Sequence, residues 1–417
     1  MNRAAPPKIA IIGAGPAGLI AAETLARALL DAEITIYDAM PSPGRKFLLA
    51  GRGGLNLTHS KPLREFISAY GATAEPIATA LAAFAPDDLR NWAAELGEDT
   101  FVGSSGRVFP KSFKASPLLR AWLRRLQGLG VSFAPRHRWT GWNSSDGLRF
   151  DTQAGEAILA ADATILALGG ASWPKLGSTG RWAQILAARG IELAPFESSN
   201  CGFLHHWSAD FGHRFAGTPL KSLVFSHNAT HLRGEAVISA GGLEGSAIYA
   251  LSAELREAIK RDGHAILKID LRPDVSLAAL TARLSAPAGS QSTSNFLRKA
   301  ANLTPVQLGL LREVFGRDIP TTPEARAEAI KHLPLRLEAC APIERAISTA
   351  GGVKWAEVDA HLMLEKLPGT FVAGEMLDFE APTGGFLLQG AFSTGVLAAQ
   401  GVAEWLDRPA DPGARPE

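Results

Sequence analysis

The run "KIAIIGAGPAGLIAAETLARALL", followed shortly by "AEITIYD", constrains this chain more than any other stretch. The apolar residues Ile9 to Ile12 are too few for a helix and rich in β-branching, which predicts a buried parallel strand. The turn after it reads Gly13-Ala14-Gly15-Pro16-Ala17-Gly18, and Pro16 and Ala17 open an alanine- and leucine-rich helix. A second strand ends on Asp38, 20 residues after Gly18. In this pattern Gly13 permits the tight turn, Gly15 lets a pyrophosphate reach the backbone, and Gly18 lets helix and strand pack closely. The helix N-terminus faces the phosphate charge, and Asp38 can accept hydrogen bonds from a ribose. Together they predict a Rossmann-like α/β domain that binds a dinucleotide. A glycine-rich turn with no ligand is the competing reading.

The turn does not separate NAD from FAD, but the rest of the chain does. "PSPGRKF" places Arg45 and Lys46 near the same phosphates or ribose. Far downstream, "LPGTFVAGEMLDFEAPTGGFLLQGAFSTGVLAAQGVAEWL" predicts a returning strand over 370–373 and then Gly374-Glu375. A loop with Asp378 follows, and then a long helix opened by Gly384-Gly385. Such an ending closes a fold over an extended flavin, and the helix dipole stabilises negative charge on the reduced ring. The alternative is a helix that only packs on the sheet. Gly169-Gly170, after another apolar strand, form a further turn suited to a phosphate or ring.

A length of 417 residues exceeds what one core supports, so more than one domain is expected. The pattern predicts a discontinuous FAD-binding domain at 1–190 and 349–408. A β-rich insert is expected at 191–274 and 334–348, a helical subdomain at 275–333, and a tail at 409–417. Lys and Arg total 42 against 41 Asp and Glu, a net charge of +1, which argues against nucleic acid or an anionic membrane as the main partner. Cys201 and Cys340 lack CxxC spacing, so no zinc site or disulfide framework is expected, and a reducing cytoplasm fits. The apolar start is broken by Gly13, Gly15, Pro16 and Gly18 and followed by Glu23 and Arg27, unlike a signal peptide. No spanning helix is expected.

The motifs "GRKFLLAGRGGLNLTH", "GRVFPKSFKAS", "ALGGASWPKLGSTG", "GEAVISAGGLEGSAIYALS", "TAGGV" and "GEMLDFEAPTGGFLLQGAFSTG" run in order along nearly the whole chain. In these the sequence resembles the FAD-binding flavoproteins of the aminoacetone-oxidase-like or bile-acid-reductase (BaiN) type. The resemblance implies a two-part FAD domain with an inserted β-barrel and a small helical subdomain. It carries Gly13, Gly15, Gly18, Asp38, Arg45, Lys46, Gly169, Gly374, Glu375, Asp378, Gly384, Gly385 and Phe386 over as FAD contacts. It also sets the loop "LAGRGGLNLTHS" beside the flavin ring. Gly51, Gly53 and Gly54 then let the backbone pass close to the ring, while Asn56 and Thr58 offer polar atoms to it. A tight turn with glycines for positive φ alone is the other reading. Many members have a cysteine where this chain has Leu55, so thiol chemistry in the loop is excluded here.

Other candidates carry less. His205, His206 and His213 do not suggest a metal site, because adjacent residues of a strand point to opposite faces. "RHRW" (136–139) predicts a strand whose backbone borders the adenine, and Tyr249 is either core or flavin-facing. No Ser-His-Asp or paired-carboxylate arrangement stands out, and no catalytic base is assigned. The expected function is FAD-dependent oxidoreduction of a small organic substrate, with oxygen or transient NAD(P)H as redox partner. "GGASWPKLGSTG" lacks the spacing of a second dinucleotide motif. The rival is a flavin-bound binding or regulatory protein, RNA-associated and without turnover. A clustered basic surface would distinguish it, and clustering is not legible in sequence.

Overall fold

A computed structural model describes residues 5–51 and 53–408; the expected tail, 409–417, lies outside them. The chain forms two compact units, one up to Glu197 and again from Ser348, the other Ser198–Ile347.

The first unit opens with β1 (Lys8–Ile12), α1 (Pro16–Ala28), β2 (Glu33–Asp38) and α2 (Arg45–Ala50). It continues through β3 (Thr58–His59), β4 (Thr100–Val102), β5 (Arg107–Pro110) and β6 (Ser132–Pro135). Its main sheet is parallel, in the order Thr370–Val372, Ala163–Leu166, β1, β2, β6. The strand order reverses beside β1, and such a reversal opens a crevice at the carboxyl ends of the strands. β1 is central and flanked on both sides, so Ile9–Ile12 are almost fully buried. That explains why it reads as an unbroken apolar run rather than an alternating one.

The C-terminal helix, Phe386–Asp407, lies along α1. Their contact is backbone-close: a Cβ on Gly395 would fall 2.4 Å from the Ala17 carbonyl oxygen. This helix is long and apolar enough to cross a membrane, but 72% of its most apolar window is buried. Its apolarity is thus used in packing. β3, β5 and β4 form a separate antiparallel sheet in that order. The strand expected over 136–139 starts only at Arg138, because Arg136 takes a φ of 59° between β6 and Arg138–Trp142.

The second unit holds a seven-stranded antiparallel sheet and four helices between 277 and 331. Its edge strands, Leu333–Leu337 and Ala339–Cys340, are separated in sequence only by Glu338. One residue cannot cross a flat sheet, so the two edges curl toward each other as in a barrel. Strands and helices share one core, in which Phe225, Leu267, Leu280 and Leu310 are all buried. The unit starts at Ser198, later than the change of pattern near 191, because Leu193–Ser199 pairs with the returning strand Ser348–Val353.

Candidate dinucleotide site

The glycines of the first turn divide their labour. Gly13 sits at φ 113°, and a Cβ there would lie 2.2 Å from the Ala167 carbonyl oxygen. Only glycine satisfies both the conformation and the contact. Gly18 packs against the Gly13 carbonyl, whereas a Cβ on Gly15 would meet nothing within 4 Å. Gly15 is also the N-cap of α1, and no side chain caps that helix. The open space and the free first-turn amides coincide, which is the arrangement a pyrophosphate needs.

Asp38 ties this turn down. Its Oδ2 accepts from the Ala14 N–H at 2.7 Å and its Oδ1 from the Met40 N–H at 2.7 Å. Burial pushes its pKa up; the Met40 and Ala14 amides and the Arg45 charge pull it back down. The carboxylate therefore positions the loop, and any ribose contact uses its remaining lone pairs. His137 donates its backbone N–H to the Asp38 carbonyl at 2.9 Å, so "RHRW" lies beside Asp38.

Arg45 and Lys46 separate. Lys46 reaches Glu375 Oε2 at 2.6 Å and Ser172 Oγ at 2.8 Å. It is thus neutralised by a carboxylate rather than held with Arg45 for phosphate. Glu375 also accepts from the Thr349 and Gly170 N–H groups, and Thr349 Oγ1 accepts from Ala171 and Ser172. This network fixes the Gly169-Gly170 turn, whose Gly169 carbonyl accepts from the Trp182 indole at 2.7 Å. A Cβ on Gly374 would sit 2.9 Å from the Ala17 side chain, so Gly374 brings its strand end against α1. Burial raises the pKa of Asp378, with the Gly351 backbone and the Lys354 charge pulling it back down.

The loop after α2 is more divided than the sequence suggested. A Cβ on Gly51 would lie 2.5 Å from the Ala115 side chain, so this glycine serves helix packing. Positive φ belongs to Gly54 (107°) and not to Gly53, whose missing Cβ faces open space. Asn56 spends its amide on the Thr58 and Val108 carbonyls at 2.8 and 3.1 Å, which staples β3 to β5. Those donors are therefore not offered to a ring.

The same loop meets the start of the C-terminal helix. Gly384 and Gly385 have φ of 141° and 93°, and a Cβ on Gly385 would lie 2.5 Å from Thr58 Cα. No side chain caps this helix either. The Phe386 ring points inward, packed on Phe66 and Tyr70, and its carbonyl accepts from the Tyr70 hydroxyl at 2.5 Å. Only its backbone N–H can serve a ligand. His59 stacks on Phe386 with centroids 5.2 Å apart. Its Nδ1 accepts from the Lys61 N–H and its Nε2 donates to the Ser105 carbonyl; burial lowers its pKa.

Sequence reasoning missed Ser172, Thr349, Tyr70 and His59. The first three act through contacts more than 120 residues distant in the chain, which leave no local signal. His59 stands in the loop with no spacing signal of its own. In the second unit the histidines take separate partners: His205 contacts the Arg336 carbonyl at 2.7 Å and His206 contacts Glu338 at 2.9 Å. Tyr249 is half-buried in the helix Ser246–Ala250, and burial raises its pKa.

Two uncapped helix starts, with glycine-lined open space at Gly15 and Gly53, fit an extended dinucleotide of the FAD kind. The family described as HI0933-like protein Rossmann domain matches residues 7–401. The chain is 26% identical over 413 residues to the 3-dehydro-bile acid delta(4,6)-reductase of Clostridium scindens, covering 95% of this chain and 99% of that one. It is 24% identical over 400 residues to the ribosomal RNA dihydrouridine synthase of Escherichia coli, covering 94% and 96%. Among solved structures, 3-ketosteroid-delta4-(5alpha)-dehydrogenase from Rhodococcus jostii RHA1 aligns with a TM-score of 0.51 at 16% identity, covering 96% and 98%. That last likeness is one of fold.

Proposed function

The chain belongs to the HI0933-like Rossmann-domain family and is an FAD-dependent oxidoreductase; from that premise we propose that it saturates a carbon–carbon double bond conjugated to a carbonyl group. The observation that carries this reading is a chemistry shared by two relatives matched over nearly their whole length. One is named a delta(4,6)-reductase of a 3-dehydro-bile acid and the other a dihydrouridine synthase. Both names describe hydrogen added across a ring double bond. When bound, FAD supplies two-electron hydride chemistry. The balance is one hydride to the carbon remote from the carbonyl and one proton to its neighbour, with a nicotinamide hydride donor as the source of electrons.

The chain's own residues bind and orient. Under this reading the free amides of α1 hold the pyrophosphate, and those of the C-terminal helix favour negative charge at the far end of the cofactor. His59 is held neutral with both ring nitrogens engaged, so it shapes the rim and does not deliver the proton.

Anaerobic stopped-flow tests the proposal. NADPH or NADH should bleach the flavin band, and 2-cyclohexenone or a uridine-containing RNA should restore it with a product two mass units heavier. Bleaching by a simple amine, with peroxide released in air and no reoxidation by either unsaturated compound, would reject it in favour of an amine oxidase.

A further inference from the structure

The near-zero net charge conceals a strongly uneven layout. Residues 39–64 and 100–145 contain 13 of the 42 Lys and Arg residues and none of the 41 Asp and Glu. The fold brings the β3 and β5 parts of these windows together, while Arg125 pairs with Glu23 and Arg138 with Asp151. β3 pairs with β5, setting Thr58 opposite Val108 and His59 opposite Arg107. Leu55 donates its backbone N–H to the Phe113 carbonyl, and Ser60 to that of Gly106.

Alternation along β5 buries Val108 and Pro110 and leaves Arg107 and Phe109 on the outer face. Phe101 lies opposite Phe109 with ring centroids 5.8 Å apart. Phe113 packs on both at 5.0 and 5.4 Å while 49% exposed. Beyond Arg107 the face continues to His59, stacked on the first residue of the C-terminal helix. Lys61, Lys111 and Lys114 are exposed beside it. Lys111 pairs with the exposed Asp99, whereas Lys61 and Lys114 have no ion pair among the described residues.

Aromatic faces interleaved with cations, on a sheet surface that leads to the candidate cofactor site, match one kind of ligand. Unpaired bases stack on such rings and phosphates meet the flanking charge. We propose that the outer face of β3–β5–β4 docks a single-stranded RNA segment and presents one base of it for reduction; the second half of this statement rests on the reaction proposed above. A small apolar substrate would use the rings but leave the flanking cations without purpose. A duplex would offer no free base faces.

The test is fluorescence anisotropy of a labelled oligouridine decamer with the FAD-loaded enzyme across 50–300 mM KCl. Affinity should fall steeply with salt. Lys61→Glu with Lys114→Glu should make the log–log salt slope shallower by about 1.4, from about 0.7 per lost phosphate contact. Phe113→Ala should weaken binding about five- to a hundredfold. Circular dichroism and flavin content report whether each variant is folded, and the lysine pair keeps the test alive if Phe113→Ala is not. Absence of binding at 50 mM KCl, or wild-type binding by folded variants, would overturn the surface. Equal binding of a thymidine DNA decamer would overturn RNA as its occupant. If RNA fails to bind while 2-cyclohexenone still reoxidises the flavin, the surface falls and the reaction stands. If RNA binds and no unsaturated compound is reduced, the reaction falls and the surface stands.

Discussion

Asp38 gives both carboxylate oxygens to backbone amides, so replacing it removes a loop tether as well as a ribose acceptor. Asp38→Ala should lower FAD affinity about ten- to a hundredfold, equivalent to about 1.5–3 kcal/mol for a charge-assisted hydrogen bond. Asp38→Asn keeps one accepting oxygen and should fall between. Unchanged affinity on titrating the apoprotein with FAD would reject this role. Gly51 and Gly53 make a second contrast. Gly53→Val adds methyls to open space and should leave the melting temperature near wild type while shifting or removing the flavin bands. Gly51→Val drives into Ala115 and should destabilise by about 1–3 kcal/mol. Equal effects of the two on spectrum and melting would refute the distinction. Tyr70 adds a pH dependence. Burial pushes its pKa above the ordinary 10.0, so its hydroxyl stays neutral in the folded chain while the unfolded chain ionises. Its stabilising contribution is therefore complete below pH 10.0 and is lost as pH rises above it. Tyr70→Phe should cost about 1 kcal/mol at pH 7 for the lost bond to Phe386. That deficit should shrink in melts above pH 10, and a constant deficit would disprove the assignment.

At the scale of elements, α2 is anchored across the crevice by the contact of Lys46 with Glu375, whose side chains are 28% and 19% exposed. Removing either partner strands the other charge in a half-buried place. Lys46→Met and Glu375→Gln should each cost about 1–3 kcal/mol by urea denaturation, and the double variant less than their sum. Strict additivity would show that the two side chains do not act as a pair. β1, α1 and β2 were legible in sequence because their glycines, apolar run and terminal acid all lie within 31 residues. The β4–β5 hairpin was not, since "FVGSSGRVFPKSFK" reads only as polar and aromatic until Phe101 and Phe109 are seen to be partners. The C-terminal helix was predicted from its glycine start, but the inward turn of Phe386 depends on Phe66 and Tyr70, more than 300 residues away.

At the scale of the whole molecule, the described residues form two separate hydrophobic cores, and the candidate dinucleotide site is built within the first. Removing FAD should therefore lower the melting of the first unit and spare the second. Calorimetry of apo and FAD-loaded protein should show one transition move by several degrees, since saturation at a hundred times Kd contributes about 2.7 kcal/mol. Movement of both transitions together would refute independent cores. The chain's local patterns determine the dinucleotide fold and its cofactor class, because a glycine turn, a buried strand and a helix start are properties of neighbouring residues. Tertiary structure alone decided that Lys46 meets Glu375, that the Asn56 amide is consumed by β3 and β5, and that Phe386 is core. It also decided that parts of two distant basic windows meet where β3 pairs with β5. Each of those outcomes depends on which distant atom occupies the space opposite a side chain, and periodicity and spacing carry no record of that.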